Sequence, residues 1–228
     1  MGMKKKLVVI SLGGSLIVPN KVDNIYLQRF KILVNKLRKQ FNFVIVAGGG
    51  KTARDYISAM HGENEIMKSL VGIMATKLNA RLVSSVFGLS ENVPDTILEV
   101  KKELRLHGIS ISGALGFHSD MTTDGNAAQI AKELKASSFI NLTNVDGLFD
   151  KDPKKFKDAK LIKKITYDKF FRIVNSFKYH PGQHFVLDQA AAVIIKKYKI
   201  KTFIINGKNF SNIIKLLNNK KYTGTFIS

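Results

Sequence analysis

Apolar and polar positions alternate along this chain in two periods, and the switch between them sets the fold. Residues 7 to 12 form a short β-branched run that ends at Gly13-Gly14. Residues 22 to 39 then place Ile25, Phe30, Leu33, Val34 and Leu37 at helical spacing, with Lys and Arg between them. The same unit follows at once: a buried-type strand at Phe43 to Ala47, a turn at Gly48-Gly49-Gly50, and a helix from Thr52 to Met60. Two strand-to-helix units with glycine at the carboxyl end of each strand predict an α/β fold, with a mainly parallel sheet and helices on both faces. A long helix is expected from Ile66 to Phe87, and a shorter one opened by Pro94-Asp95 and running to Leu106. A third core strand follows at Gly108 to Ser112, then a polar loop at 113 to 123, a helix from Asp124 to Leu134 and a fourth strand at Ser137 to Leu142.

Beyond residue 142 the texture changes. Residues 143 to 163 read as a long loop or small hairpin. Helices at 167 to 175, 185 to 198 and 209 to 217 then alternate with a loop at 176 to 184, a strand at 201 to 205 and an edge strand at 223 to 227. No linker, low-complexity segment or internal repeat interrupts the pattern. The expected division is an N-terminal half, 1–135, and a C-terminal half, 136–228, on one continuous sheet.

Composition narrows the class. The 228 residues carry a formal net charge of +20, from 37 Lys and Arg against 17 Asp and Glu. That balance suggests nucleic acid, yet Arg occurs only at 29, 38, 54, 81, 105 and 172, and forked recognition of bases and phosphates favours Arg. A Lys excess on solvated faces accounts for the charge equally well. Cysteine is absent, which excludes disulfides, thiolate metal sites and Cys nucleophiles, and permits a cytoplasmic location. The basic start and the Leu7 to Ile10 run imitate a signal peptide, but the run stops at Ser11 without an A-x-A-type site and reads as a strand. No apolar run approaches the roughly 18 to 20 residues of a membrane span, so no membrane partner is expected. His61, His107, His180 and His184 lack metal-ligand spacing within a predicted helix; His118 alone stands in a candidate loop.

In an open parallel sheet, ligands bind beyond the carboxyl ends of the strands. The loops to inspect are Gly13-Gly14-Ser15, Gly48 to Arg54, Gly113 to Asp124 and Thr143 to Pro153. Glycine, small hydroxyl residues and helix amino termini favour phosphate. Gly50-Lys51-Thr52 imitates the end of a Walker A loop, but the leading glycine that motif needs would fall on Ile45, inside a strand. Three glycines nevertheless allow a phosphorylated ligand to reach the backbone, with Arg54 able to clamp an oxyanion. A plain tight turn and a surface cation remain the alternative. Thr122-Thr123-Asp124 reads as a helix cap, with Thr123 as the N-cap and Asp124 in the first turn, or, beside the other loops, as part of a phosphoryl-transfer site, which needs positioning and electrostatics more than covalent chemistry.

The string Thr143-Asn144-Val145-Asp146-Gly147-Leu148-Phe149-Asp150-Lys151-Asp152-Pro153 completes the set. Together with the other loops, Gly72 to Thr76 with Asn79, and Leu187-Asp188 before Ala190 to Ala192, it resembles the amino acid kinase superfamily, and within it the archaeal-type uridylate (UMP) kinases. The resemblance runs from about residue 5 to residue 228. It implies a three-layer αβα sandwich, transfer of the γ-phosphoryl group of ATP to UMP, magnesium accompanying the nucleotide, and a homo-oligomer, commonly hexameric. Ser11, Leu12, Gly13, Gly14 and Ser15 are then expected along the ATP phosphates, beside Gly50 and Arg54. Gly49 and the loop residues His118, Ser119, Asp120, Met121, Thr122, Thr123 and Asp124 are expected to hold UMP. Thr143, Phe149 and Asp152 would border the adenine nucleotide, Asp146 and Gly147 would shape its loop, and Asp124 would organise the transfer centre. No resident metal ligand is assigned.

Two positions depart from the pattern. Ser11 stands where many superfamily members place a Lys, so a cation must come from elsewhere, such as Arg54, Lys51 or Lys21. Ser69 stands where uridylate kinases usually carry an Asp for the nucleoside part of UMP, and supplies only a neutral contact. Two alternatives remain: a superfamily kinase for another small anionic acceptor, and a non-catalytic nucleotide or nucleic-acid binder. Lys51-Thr52-Ala53-Arg54 after the triple glycine speaks against isopentenyl phosphate, whose kinases tend to carry a His there.

Overall fold

The computed structural model of the chain describes residues 5–62, 64–89, 92–116, 122–153, 155–176 and 187–228. His118, Ser119, Asp120, Met121, His180, His184 and all of the 176–184 loop except Ser176 lie outside the described residues. Seven strands among the described residues form one sheet: β1 Lys6–Leu12, β2 Phe41–Ala47, β3 Ile109–Ser112, β4 Ser138–Thr143, β5 Lys164–Ile165, β6 Thr202–Asn206 and β7 Thr225–Ile227. Their order is β3-β2-β1-β4-β6-β7-β5, with every pairing parallel except the antiparallel β6–β7 pair. The strands of both halves of the chain therefore share one sheet.

Helices cover both faces. On one lie α1 Gly14–Ile17, α2 Asn24–Leu37, α4 Glu65–Phe87 and α9 Phe210–Leu217; on the other α5 Ile97–His107, α6 Thr123–Glu133, α7 Tyr167–Ser176 and α8 Gln189–Tyr198. The short α3, Gly50–Ser58, packs against α1 and α4. Strand β1 shows why two layers are needed. Val8, Ile10 and Leu12 point into the first core and Val9 into the second, so a strand buried on both sides reads as one continuous apolar run. Ser11 interrupts that run, and its hydroxyl is turned toward the α6 face.

Three expectations change. The segment at 223–227 is not the edge of the sheet, because β5 adds outside it; a strand of two residues, Lys164-Ile165, carries no readable alternation. A four-residue helix, α1, occupies the first glycine loop, too short for any periodicity to reveal. And α4 is by length and composition long and apolar enough to cross a membrane, although no uninterrupted apolar run suggested it. Its hydropathy comes from Leu, Val, Ile and Met spaced among small residues. In this fold it is a layer helix: Ala80, Val83 and Phe87 pack in the core, and Thr76, Asn79 and Ser84 are buried polar groups.

Candidate active site

The glycine loops after β1 and β2 meet backbone to backbone. A methyl group built on Gly14 would lie 2.0 Å from the Gly50 nitrogen and 2.8 Å from the Gly48 carbonyl carbon. Gly50 also takes a positive φ of 62°, which a side chain would resist. Main-chain bonds fasten this seam. Gly48 N–H donates to Leu12 O at 2.9 Å, Gly13 N–H to Leu142 O at 2.9 Å, and Lys51 N–H to Val18 O at 3.0 Å. The triple glycine is therefore more than a tight turn: it lets two strand ends lie in contact.

Helix α4 supports the seam from the side. The buried Asn79 donates its amide to Gly48 O at 2.8 Å and Gly49 O at 2.9 Å. One turn earlier, the Thr76 hydroxyl donates to Ile73 O at 2.7 Å and accepts the Ala114 N–H at 3.0 Å, tying the loop after β3 to the same helix. Ser69 sits half-buried on this helix, one turn before Gly72. Asn126 shapes the far side of that loop, accepting from Leu115 N–H at 3.0 Å and donating to Thr122 O at 3.0 Å.

The amino termini of α6 and α8 bring the acids in. Ser11 donates its hydroxyl to Asp124 Oδ1 at 2.6 Å. Burial and the negative charge of Asp188 push the Asp124 carboxyl up to about 7, against the opposing effect of the Ser11 hydrogen bond. Asp188 Oδ1 caps α8 by accepting from Ala191 N–H at 2.8 Å, while its Oδ2 accepts a hydrogen bond from the Thr122 hydroxyl. Thr122, and not Thr123, is the N-cap of α6.

The loop after β4 closes on β6 and β7. Gly147, at φ 152°, comes so close to Thr225 that an added methyl would lie 2.7 Å from its hydroxyl oxygen. That hydroxyl accepts from Leu148 N–H at 2.8 Å and donates to Ile162 O at 2.7 Å. Asp146 accepts from the Asn206 amide at 3.0 Å, Phe149 bridges to Leu161, and the Asp152 carbonyl accepts from the Phe156 N–H at 2.9 Å. Thr143 O accepts from Gly207 N–H at 2.8 Å.

The structure thus joins Ser11, Gly13, Gly14, Gly48 to Gly50, Thr122 and Asp124 at the carboxyl ends of the central strands, with Thr143, Asp146 and Gly147 alongside. The cations stand further out: Arg54 is exposed on α3, Lys21 is exposed, and Lys51 is paired with Asp55. Three contributors were not read from sequence. Asn126 and Thr225 are unremarkable without tertiary contacts. Asn206-Gly207 does carry a signal, a turn pair ending a strand at the same pole as the other loops.

Comparison with known proteins agrees with this architecture. A model of the amino acid kinase family matches residues 6–206, and the chain belongs to that family. It is 36% identical over 228 residues to the uridylate kinase of Methanococcus aeolicus, covering 97% of this chain and 99% of that one. It is 35% identical to the uridylate kinase of Archaeoglobus fulgidus, again covering 97% and 99%. The crystal structure of uridylate kinase from that organism superposes with a TM-score of 0.83 at 34% identity, over 97% of this chain and 99% of that one. A UMP kinase structure from Ureaplasma parvum, at 22% identity and a TM-score of 0.77, shares the fold over 99% of this chain.

Proposed function

We propose that this protein is a UMP kinase that transfers the γ-phosphoryl group of ATP to UMP, giving UDP for pyrimidine nucleotide synthesis. The observation that carries this reading is the seam of Gly14 against Gly48 and Gly50, with Asp124 held over the end of β1 by Ser11. Two loops suited to phosphate lie in fixed contact beside one buried carboxyl, and phosphoryl transfer asks chiefly for such positioning. The N-terminal half, 1–135, holds the acceptor, with Gly49, Ser69 and the loop ending in Thr122, Thr123 and Asp124 as its wall. The C-terminal half, 136–228, holds the adenine nucleotide against Thr143, Asp146, Gly147, Phe149 and Asp152, with its phosphates along Ser11 to Ser15 and Gly50. With Lys51 paired to Asp55, Arg54 is the cation of α3 best able to turn toward a phosphate.

Magnesium fits this site as a companion of the nucleotide. Among the described residues no three His, Asp or Glu side chains group as ligands, and magnesium is commonly held by phosphates and water with few protein contacts. When bound, it supplies neutralisation of phosphate charge. A cytoplasmic location accords with soluble nucleotide substrates.

The acceptor is tested by a coupled assay with ATP, magnesium and a panel of nucleoside monophosphates. UMP is expected to be preferred over CMP by at least about tenfold in kcat/KM, about 1.4 kcal/mol of discrimination. Equal turnover of the two, or no turnover of either, overturns the reading. Ser69 supports one alternative, a different small anionic acceptor, which the same panel extended to other phosphorylated acceptors detects.

The protein is also expected to be a homo-oligomer, with a hexamer the form the family pattern implies. Ile66, Leu70, Met74 and Leu78 recur every four residues on the outer face of α4, joined by Met67, and all five are exposed. Such an apolar stripe fits the same stripe on a second copy. Replacing Met74 and Leu78 together by Glu is expected to lower the mass measured by light scattering to that of a smaller species. An unchanged mass removes α4 from the interface.

A further inference from the structure

We infer that Asp188 is a positioning residue for phosphoryl transfer, its two carboxylate oxygens joining the amino termini of α6 and α8 and its charge bearing on Asp124. The inference rests on the reading of Asp124 as the carboxyl of the transfer centre.

One oxygen of Asp188 caps α8 through Ala191 N–H, and the other accepts the Thr122 hydroxyl. Thr122 in turn accepts the Gly125 N–H at 3.3 Å and caps α6. One chain of hydrogen bonds thus runs from α8 to α6, and α6 carries Asp124 in its first turn. Capping alone does not explain the second oxygen, held on another helix. A cap needs one acceptor, and Ser, Thr or Asn provides it without charge. Here a second carboxylate stands close enough to a buried one to hinder its ionisation.

Among the described residues, the surroundings do not cancel that repulsion. From β1 the group facing Asp124 is the neutral Ser11 hydroxyl; β4 pairs the neutral Asn141 beside Ser11; β2 presents apolar side chains; α8 presents Asp188. Among the described residues, Asp188 is the charged group that bears on Asp124. Below about pH 7 the pair therefore holds a proton at the transfer centre when no substrate is bound. A positive charge bound beside the pair would favour loss of that proton. Asp188 sets the pH at which this loss occurs, and Thr122 keeps the end of the acceptor loop in register with it.

The test is the pH profile of kcat and of KM for UMP in the full-length protein and in Asp188→Asn, Asp188→Ser, Thr122→Val and Asp124→Asn, with thermal melts alongside. Asn and Ser keep the α8 cap and remove the charge. Both are expected to move the acid limb of kcat down by about one pH unit while the melting temperature stays within a few degrees. Thr122→Val should raise KM for UMP several-fold and leave the acid limb in place. An acid limb unmoved in both Asp188 variants overturns the inference. Should Asp124→Asn turn over like the parent protein, the assignment of Asp124 fails instead, and the two failures are thereby distinguished. If one Asp188 variant does not fold, the other decides.

Discussion

Asp124→Asn is expected to lower kcat by about two to three orders of magnitude and, above pH 7, to make the protein more stable. The first effect follows from the loss of the carboxylate that Ser11 holds at the end of β1. Asn still accepts the Ser11 hydroxyl but cannot carry charge. The second follows from linkage. In the folded chain the Asp124 carboxyl titrates near 7, well above its ordinary value of 3.8. Between those values the folded protein holds a proton that the unfolded chain has released, so stability is greatest below about pH 4, falls as pH rises, and has lost this contribution above about 7. An amide carries no such penalty. At pH 8 the variant should gain on the order of 2 kcal/mol, roughly 5 °C in melting temperature for a chain of this size. At pH 4 the two proteins should melt together, provided both stay folded. Steady-state kinetics and melts at pH 5 and pH 8 check both parts. Turnover within tenfold of the parent, or a lower melting temperature at pH 8, contradicts the assignment.

Gly14→Ala is expected to be the most damaging single methyl group in the molecule. The new carbon would stand 2.0 Å from the Gly50 nitrogen and 2.5 Å from its Cα, and no rotamer relieves a clash with main chain. The seam must open, and with it the bonds from Gly48 to Leu12 and from Lys51 to Val18. Overpacking of this kind costs about 3 kcal/mol or more, and the separated loops should lose most ATP affinity. Gly62→Ala is the control. It has positive φ, at 99°, but nothing within 4 Å, so it should cost only about 1 to 2 kcal/mol of backbone strain and leave nucleotide binding intact. Urea denaturation and ATP titration separate the two. Gly14 itself has no positive φ, so equal losses in both variants would mean that contact with Gly50 does not set the cost there.

Much of this was legible because the central strands are buried on both faces and write themselves as apolar runs, the first two ending directly in glycine. The runs at 7–12, 43–47, 137–142 and 201–205 became β1, β2, β4 and β6 for that reason. What escaped was tertiary. Nothing local announces that Lys164-Ile165 pairs with β7, or that Gly14 touches Gly50. Ser11 is instructive: read alone it marks a missing Lys, whereas in the fold it supplies the hydrogen bond that holds Asp124. Asp188 could be seen as a helix cap before an alanine run, but its second oxygen, on Thr122 of another helix, could not. The loop residues were found by their place at strand ends, a rule that would equally have found Asn206 had it been applied to β6.

The seam between the two glycine loops works as a gauge block. With no side chain between Gly14 and Gly50, the spacing of whatever binds on either side is set by main chain alone, and no single replacement can retune it gently. Adaptation to a new acceptor must therefore happen elsewhere, on α4 at Ser69 or in the loop that ends at Thr122. A redesign that leaves the glycines untouched and varies those walls should change which molecule receives the phosphoryl group while keeping the machinery that moves it.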